Sequence, residues 1–233
     1  MSSGGADNGC TPPPASVPSP DHAPSILSRL VWRLLRGLYR LKGFKLSGEP
    51  PQIPKYILVG APHTSNWDFI FFAGAVKQLG IKPSFIGKHT LFKWPMTRFM
   101  LDMGGMPINR SAPQGYVRSV IERIEATDEM ALVVAPEGSR SSDGRWRSGF
   151  YHIAHGAGIP IVPAWVNYET MRGGLGEPIW PTGDFHADLM KIADFYAQAM
   201  PHCDRFKVLA RQARGEIDTP GSKSPASTKP GHG

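Results

Sequence analysis

Apolar positions along this chain repeat with two different periods. From Ser25 the sequence reads Ser-Ile-Leu-Ser-Arg-Leu-Val-Trp-Arg-Leu-Leu-Arg-Gly-Leu-Tyr-Arg-Leu-Lys. Leu27, Leu30, Val31, Leu34, Leu38 and Leu41 recur every three or four residues, and Arg29, Arg33, Arg36 and Arg40 form a row of their own. The pattern predicts a basic amphipathic helix of about 17 residues, too short and too charged to cross a bilayer but suited to lying in the headgroup layer. The competing reading packs the apolar face on the rest of the protein and leaves the arginines in water. Further on, short β-rich apolar runs predict strands over residues 55–61, 84–87, 106–108, 131–135 and 159–166. Between them, helical spacing predicts helices over 66–79, with Asn66 as N-cap, over 91–103 with an interruption at Pro95, over 114–126 and over 187–200. Alternation of this kind predicts an α/β fold, a mainly parallel sheet flanked by helices, with its chemistry on loops beyond the strand C-termini.

Composition sets the boundaries. Residues 1–24 hold six of the 23 prolines and almost nothing apolar, and the C-terminal stretch is similarly rich in Gly, Ser and Pro. Neither can bury enough surface to offset its ordering entropy. The expected organisation is a disordered tail over 1–24, the amphipathic helix within 25–46, one folded domain over 47–211 and a second tail over 212–233. The chain of 233 residues is long enough for a core without disulfides, and its two cysteines, Cys10 and Cys203, fit a reducing compartment. No signal peptide and no apolar run of membrane-spanning length is visible, so the expected location is peripheral, on the cytoplasmic face of the inner membrane, or cytoplasmic. The formal net charge is +7, and residues 25–50 alone carry six Lys/Arg against one Glu. Because this charge sits on the leucine-rich helix and no nucleic-acid motif is present, the expected partner is an anionic membrane surface and not nucleic acid.

Four strand-to-loop junctions carry candidate chemistry. After the first strand comes Ala-Pro-His-Thr-Ser-Asn-Trp-Asp, which puts His63 in a loop and Asp68 in the first turn of the next helix. Asp68 can accept from one imidazole nitrogen and leave the other as a general base; the bland alternative is a surface His beside a capping Asp. In Ala-Leu-Val-Val-Ala-Pro-Glu-Gly-Ser-Arg-Ser, a buried strand runs into Glu137, Gly138, Ser139 and Arg140. Gly138 permits close backbone approach, while Ser139 and Arg140 offer a hydroxyl and a donor fork for an oxyanion. A third run, Gly-Gly-Met-Pro-Ile-Asn-Arg, ends in Arg110, within reach of a phosphate, and Lys88-His89 is a candidate aid to phosphate or coenzyme binding. The fourth, Ile-Pro-Ile-Val-Pro-Ala at 159–164, has two prolines that suggest a sheet edge or a groove wall. His152 and His155 lack a nearby third ligand, so no metal is expected. Trp67, Phe69, Phe71, Phe72, Phe92 and Trp94 read as core or tunnel lining. Neither cysteine lies near these runs and no Gly-x-Ser-x-Gly elbow occurs.

Together the four runs resemble the blocks of the glycerolipid acyltransferase superfamily, in the family's order. They are His-x4-Asp at His63 and Asp68, the Arg-ending block at 105–110, Pro-Glu-Gly-Ser-Arg-Ser at 136–141 with Ser139 for the usual Thr, and the apolar block with a central Pro at 161–164. The resemblance covers about half of the chain. It implies an O-acyltransferase that moves a fatty acyl group from acyl-CoA or acyl-carrier protein, as co-substrate, to the hydroxyl of a lysophospholipid-type acceptor. It gives His63 the role of base and Asp68 that of its partner. Arg110, Glu137 and Arg140, beside Gly138, Ser139 and Lys88, would bind substrate, and no cofactor is implied. The alternative is a non-catalytic peripheral membrane protein that binds lipid with the same fold.

Overall fold

The computed structural model of the chain describes residues 24–65, 67–87, 92–94, 97–107, 113–138 and 142–220. Lys55–Ala61 (β2) is the strand around which the rest is arranged. Its alternate residues serve two cores: Ile57, Val59 and Ala61 belong to one, and Tyr56 and Leu58 to the other. That division is the period of a strand buried on both faces. Met130–Val134 (β5) lies parallel to β2 on one side and Ile161–Asn167 (β6) on the other. Pro83–Gly87 (β3) and Gly105–Pro107 (β4) continue the parallel run beyond β5. Arg172–Leu175 (β7) turns back antiparallel to β6, and Lys45–Ser47 (β1) closes that edge parallel to β7. The sheet order is β1-β7-β6-β2-β5-β3-β4.

Helices cover both faces. One carries Pro113–Glu125 (α4), Gly149–Gly156 (α5), Phe185–Ala199 (α6) and Asp204–Ala213 (α7), whose apolar residues join Ile57, Leu132 and Ile161 in the larger core. On the other lie Ile26–Leu41 (α1) and Trp67–Gln78 (α2), with Val76, Phe72 and Trp32 packed on Tyr56, Leu58, Ala131 and Val162. Thr97–Asp102 (α3) precedes β4. Buried Tyr196 of α6 shares its hydroxyl hydrogen between Val59 O at 2.8 Å and Ala164 O at 3.0 Å, tying β2 to β6. The α/β class is as the alternation predicts.

Three details differ from the sequence reading. Of the two readings of the proline-bearing strand, sheet edge or groove wall, the first fails, since β6 lies between β7 and β2. Pro163 is tolerated because its carbonyl accepts from Gly176 N while the β7 ladder begins one residue later, at Ala164 opposite Leu175, so no partner requires the missing N–H. The packed chain also runs beyond Arg211: Gln212 and Ala213 are buried, and Gln212 Nε2 donates to the Thr219 hydroxyl at 3.0 Å. Finally, α1 is not a separate body. Ser25 caps it, its Oγ accepting from Ser28 N at 3.1 Å, and Tyr39 near its end lies so close to α2 that a Cβ on Gly74 would fall 2.1 Å from its ring. Ser28, Leu35 and Tyr39 form the buried stripe, whereas Leu27, Leu30, Leu34 and Leu41 remain more than 60% exposed. The N-terminal residues 1–23 and residues 221–233, read as tails, lie outside the described residues.

Candidate active site

Because β2, β5 and β6 are parallel neighbours, their C-terminal ends and following loops meet at one edge of the sheet. The loop after β2 carries His63, and Asp68 occupies the first turn of α2. His63 Nδ1 lies 2.8 Å from Asp68 Oδ2, with the imidazole 36% and the carboxylate 14% exposed. The same Oδ2 accepts from Thr64 N at 2.9 Å and Ser65 N at 3.0 Å, so the aspartate closes the loop that holds its histidine. With Nδ1 bound to a carboxylate, the neutral ring carries its proton there and presents Nε2 as an acceptor. Nε2 has no hydrogen-bond partner among the described residues.

The loop after β5 contributes Glu137, which is buried. Its Oε1 accepts from His63 N at 3.3 Å, and its Oε2 accepts from Ser142 Oγ at 3.3 Å and pairs with Arg205 of α7. Burial pushes this carboxyl above the ordinary carboxylate range, against the pull of Arg205 and of the His63 and Ser142 donors. Glu137 thus supports the His63 loop from beneath, with both oxygens occupied. Gly138 follows with φ +74°, a left-handed turn conformation that favours glycine; a Cβ there would meet only the flexible Arg147 side chain, 2.9 Å away at Nε.

On the face of the sheet that α1 and α2 cover, a cavity of 340 Å³ opens at the pair. It is lined by His63 and Asp68 at one place and by Leu58, Phe72, Val76 and Val133 at others. Phe71 and Phe72 are among its walls, as the tunnel reading expects, but Trp67 is 40% and Trp94 91% exposed. Lys42, just after α1, holds its ammonium 4.7 Å from the Trp67 ring centroid. His152 and His155 lie exposed on α5, and His155 stacks on Tyr151. Of the residues read from sequence, the fold brings His63, Asp68, Glu137 and Gly138 to one edge. Asn66, Lys88, Arg110, Ser139 and Arg140 lie outside the described residues.

Two partners of the site are missed by sequence reasoning. Arg205 lies in a helix that the sequence pattern did not predict, and nothing local links it to a glutamate 68 positions away. Tyr168, one residue past β6, donates to Asp68 Oδ1 at 2.5 Å. A period of two places it on the same face as Val162, Ala164 and Val166, but only the pairing of β6 with β2 brings that face to Asp68.

A family model described as Acyltransferase matches residues 47–167. A probable 1-acyl-sn-glycerol-3-phosphate acyltransferase of Mycoplasma pneumoniae is 31% identical over 169 residues, 69% of this chain and 61% of that protein. A 1-acyl-sn-glycerol-3-phosphate acyltransferase of Haemophilus influenzae is 25% identical over 177 residues, 71% of this chain and 70% of its own length. One from Limnanthes alba is 39% identical over 61 residues, 24% of this chain and 22% of the relative. The chain therefore spans about three fifths of the Mycoplasma protein and a smaller share of the plant one.

Proposed function

Since the chain belongs to the Acyltransferase family, we propose that it transfers a fatty acyl group from an acyl thioester to the free hydroxyl of a lysophospholipid at an anionic membrane surface. The donor is acyl-CoA or acyl-carrier protein, and 1-acyl-glycerol-3-phosphate is the acceptor that the relatives' names favour. The observation that carries this reading is the His63–Asp68 pair at the mouth of an apolar cavity, which puts a base beside a place for an alkyl chain.

In the proposed reaction, His63 Nε2 takes the acceptor's hydroxyl proton as the oxygen attacks the thioester carbonyl. Asp68 stabilises the imidazolium that forms. The tetrahedral intermediate collapses to the new ester, the carbon–sulfur bond breaks, and the thiolate leaves as thiol with the proton from His63. No acyl-enzyme is required. Lys88, Arg110, Ser139 and Arg140 supply the acceptor's phosphate with donors, and Gly138 lets it approach the backbone. Glu137 contributes by holding the His63 loop. Among the described residues, no helix is long and apolar enough to cross a membrane. In this reading attachment falls to α1, whose exposed leucines lie beside its arginines, and the proposed location is the cytoplasmic face of the inner membrane or the cytoplasm.

The test incubates the protein with acyl-CoA and a panel of lysolipids that includes lysophosphatidic acid, following thiol release. His63→Ala is expected to lower the rate by about 10²–10⁴-fold with the fold intact. Full activity in that variant would remove the mechanism. Vesicle binding with no thioester consumed by any acceptor would favour the non-catalytic lipid-binding protein.

A further inference from the structure

The Asp68 carboxylate holds more donors than a His–Asp pair requires. His63 Nδ1 and the Thr64 and Ser65 amides all converge on Oδ2, and among the described residues the Tyr168 hydroxyl alone donates to Oδ1. An aspartate carboxylate turns easily about its last torsion, which has broad minima. Both oxygens lie off that axis, so the donors on Oδ2 already restrain the rotation, and a donor on the second oxygen adds an independent restraint on the plane. We propose that Tyr168 is a positioning residue of the dyad, pinning Oδ1 of Asp68 so that Oδ2 stays directed at His63 Nδ1.

The phenol is itself held in place. Half-buried, it meets Phe44 edge-on with centroids 6.0 Å apart, and it packs on the small cluster of Tyr39, Phe44 and Val166. Phe44 in turn stacks on Tyr39 of α1 at 5.3 Å and meets Phe71 of α2 at 5.0 Å. Three elements therefore fix the ring that fixes the carboxylate. Burial, and secondarily the adjacent Asp68, push the phenol well above its ordinary pKa, so it remains a donor wherever the protein is folded. Such a role improves orientation of the base and leaves substrate binding alone.

This inference rests on the reading of His63 as the base, and its test separates the two. Tyr168→Phe keeps the ring and removes the donor. It is expected to lower kcat about tenfold, in line with the loss of one charge-assisted hydrogen bond, with KM for thioester and acceptor unchanged. The low-field proton resonance of His63 Nδ1–H, assigned by its loss in His63→Ala, is expected to broaden or disappear. Incorporating 3-fluorotyrosine at position 168 restores a hydroxyl, here a stronger donor, and is expected to recover kcat and shift the resonance. That protein also carries the test if the phenylalanine variant does not fold. An unmoved resonance in either protein, whatever happens to kcat, makes Tyr168 a packing residue and overturns the proposal. Because the resonance is read without turnover, it is independent of whether His63→Ala abolishes acyl transfer.

Discussion

A glutamate in a loop ordinarily faces water. Glu137 instead lies beneath the His63 loop, where its charge is matched by Arg205 and its lone pairs by His63 N and Ser142. Breaking such a pair costs more than the pair itself contributes, because the remaining partner stays desolvated. Glu137→Gln keeps the shape and one acceptor but removes the negative charge that Glu137 offers Arg205. It is expected to destabilise the protein by about 1–3 kcal/mol, read as a lower denaturant midpoint at unchanged slope. The sequence shows the Glu and the His because each follows an apolar strand into a loop. Which way Glu137 faces, and that Arg205 and Tyr168 complete its surroundings and those of Asp68, follow from strand order and from a helix some 70 residues on. Local spacing cannot carry that information.

Among the elements, those with strong periodicity were legible and the weak ones were not. The strand at 55–61 is found with the same bounds, and the helices predicted at 114–126 and 187–200 correspond to α4 and α6 within two residues. β1 and β7 are three and four residues long, and β7 contains two glycines, too little for an alternation to register. α5 is eight residues with glycine at both ends, and α7 lies where the sequence approaches the tail. For α1 the period was legible but the residues that dock it were not. The leucine row that defines its amphipathicity is the exposed one, and the helix docks through Trp32, Leu35 and Tyr39 and through polar contacts at its start. Asp102 of α3 accepts from Ser25 N at 3.0 Å and Ser28 Oγ at 2.6 Å, and pairs with Arg98. Burial pushes the Asp102 carboxyl up, but these donors outweigh it and hold the group below the ordinary carboxylate range. A carboxylate depressed in this way contributes stability above its unfolded value, and that contribution is lost as pH falls through the folded one. Protection of the α1 amides from hydrogen exchange is therefore expected to drop on acidification below about pH 4, and Asp102→Asn is expected to show the same loss at neutral pH.

At the scale of the molecule, α1 has three sectors. One packs on α2, the arginines form a second, and the row of Leu27, Leu30, Leu34 and Leu41, with Ile26, forms an apolar third beside them. Large exposed side chains in a contiguous row are what a lipid surface would cover, and under the proposed function the neighbouring positive charge would favour an anionic one. Replacing Leu30 and Leu34 together by Asp is expected to weaken binding to mixed phosphatidylglycerol–phosphatidylcholine vesicles by on the order of a hundredfold, as two inserted leucines are lost. The thermal midpoint should stay within a few degrees, since neither side chain is packed. Sedimentation with vesicles and a thermal scan measure the two.

The close seating of Tyr39 over Gly74, with Lys42 over Trp67, joins that helix to the element bearing Asp68. Its consequence concerns how substrate is counted. On the proposed reading, with α1 on the lipid and His63–Asp68 as the reacting pair, the enzyme would work within a film, not a volume. Its rate would then follow the mole fraction of acceptor among the surrounding lipids and be indifferent to dilution of the whole suspension.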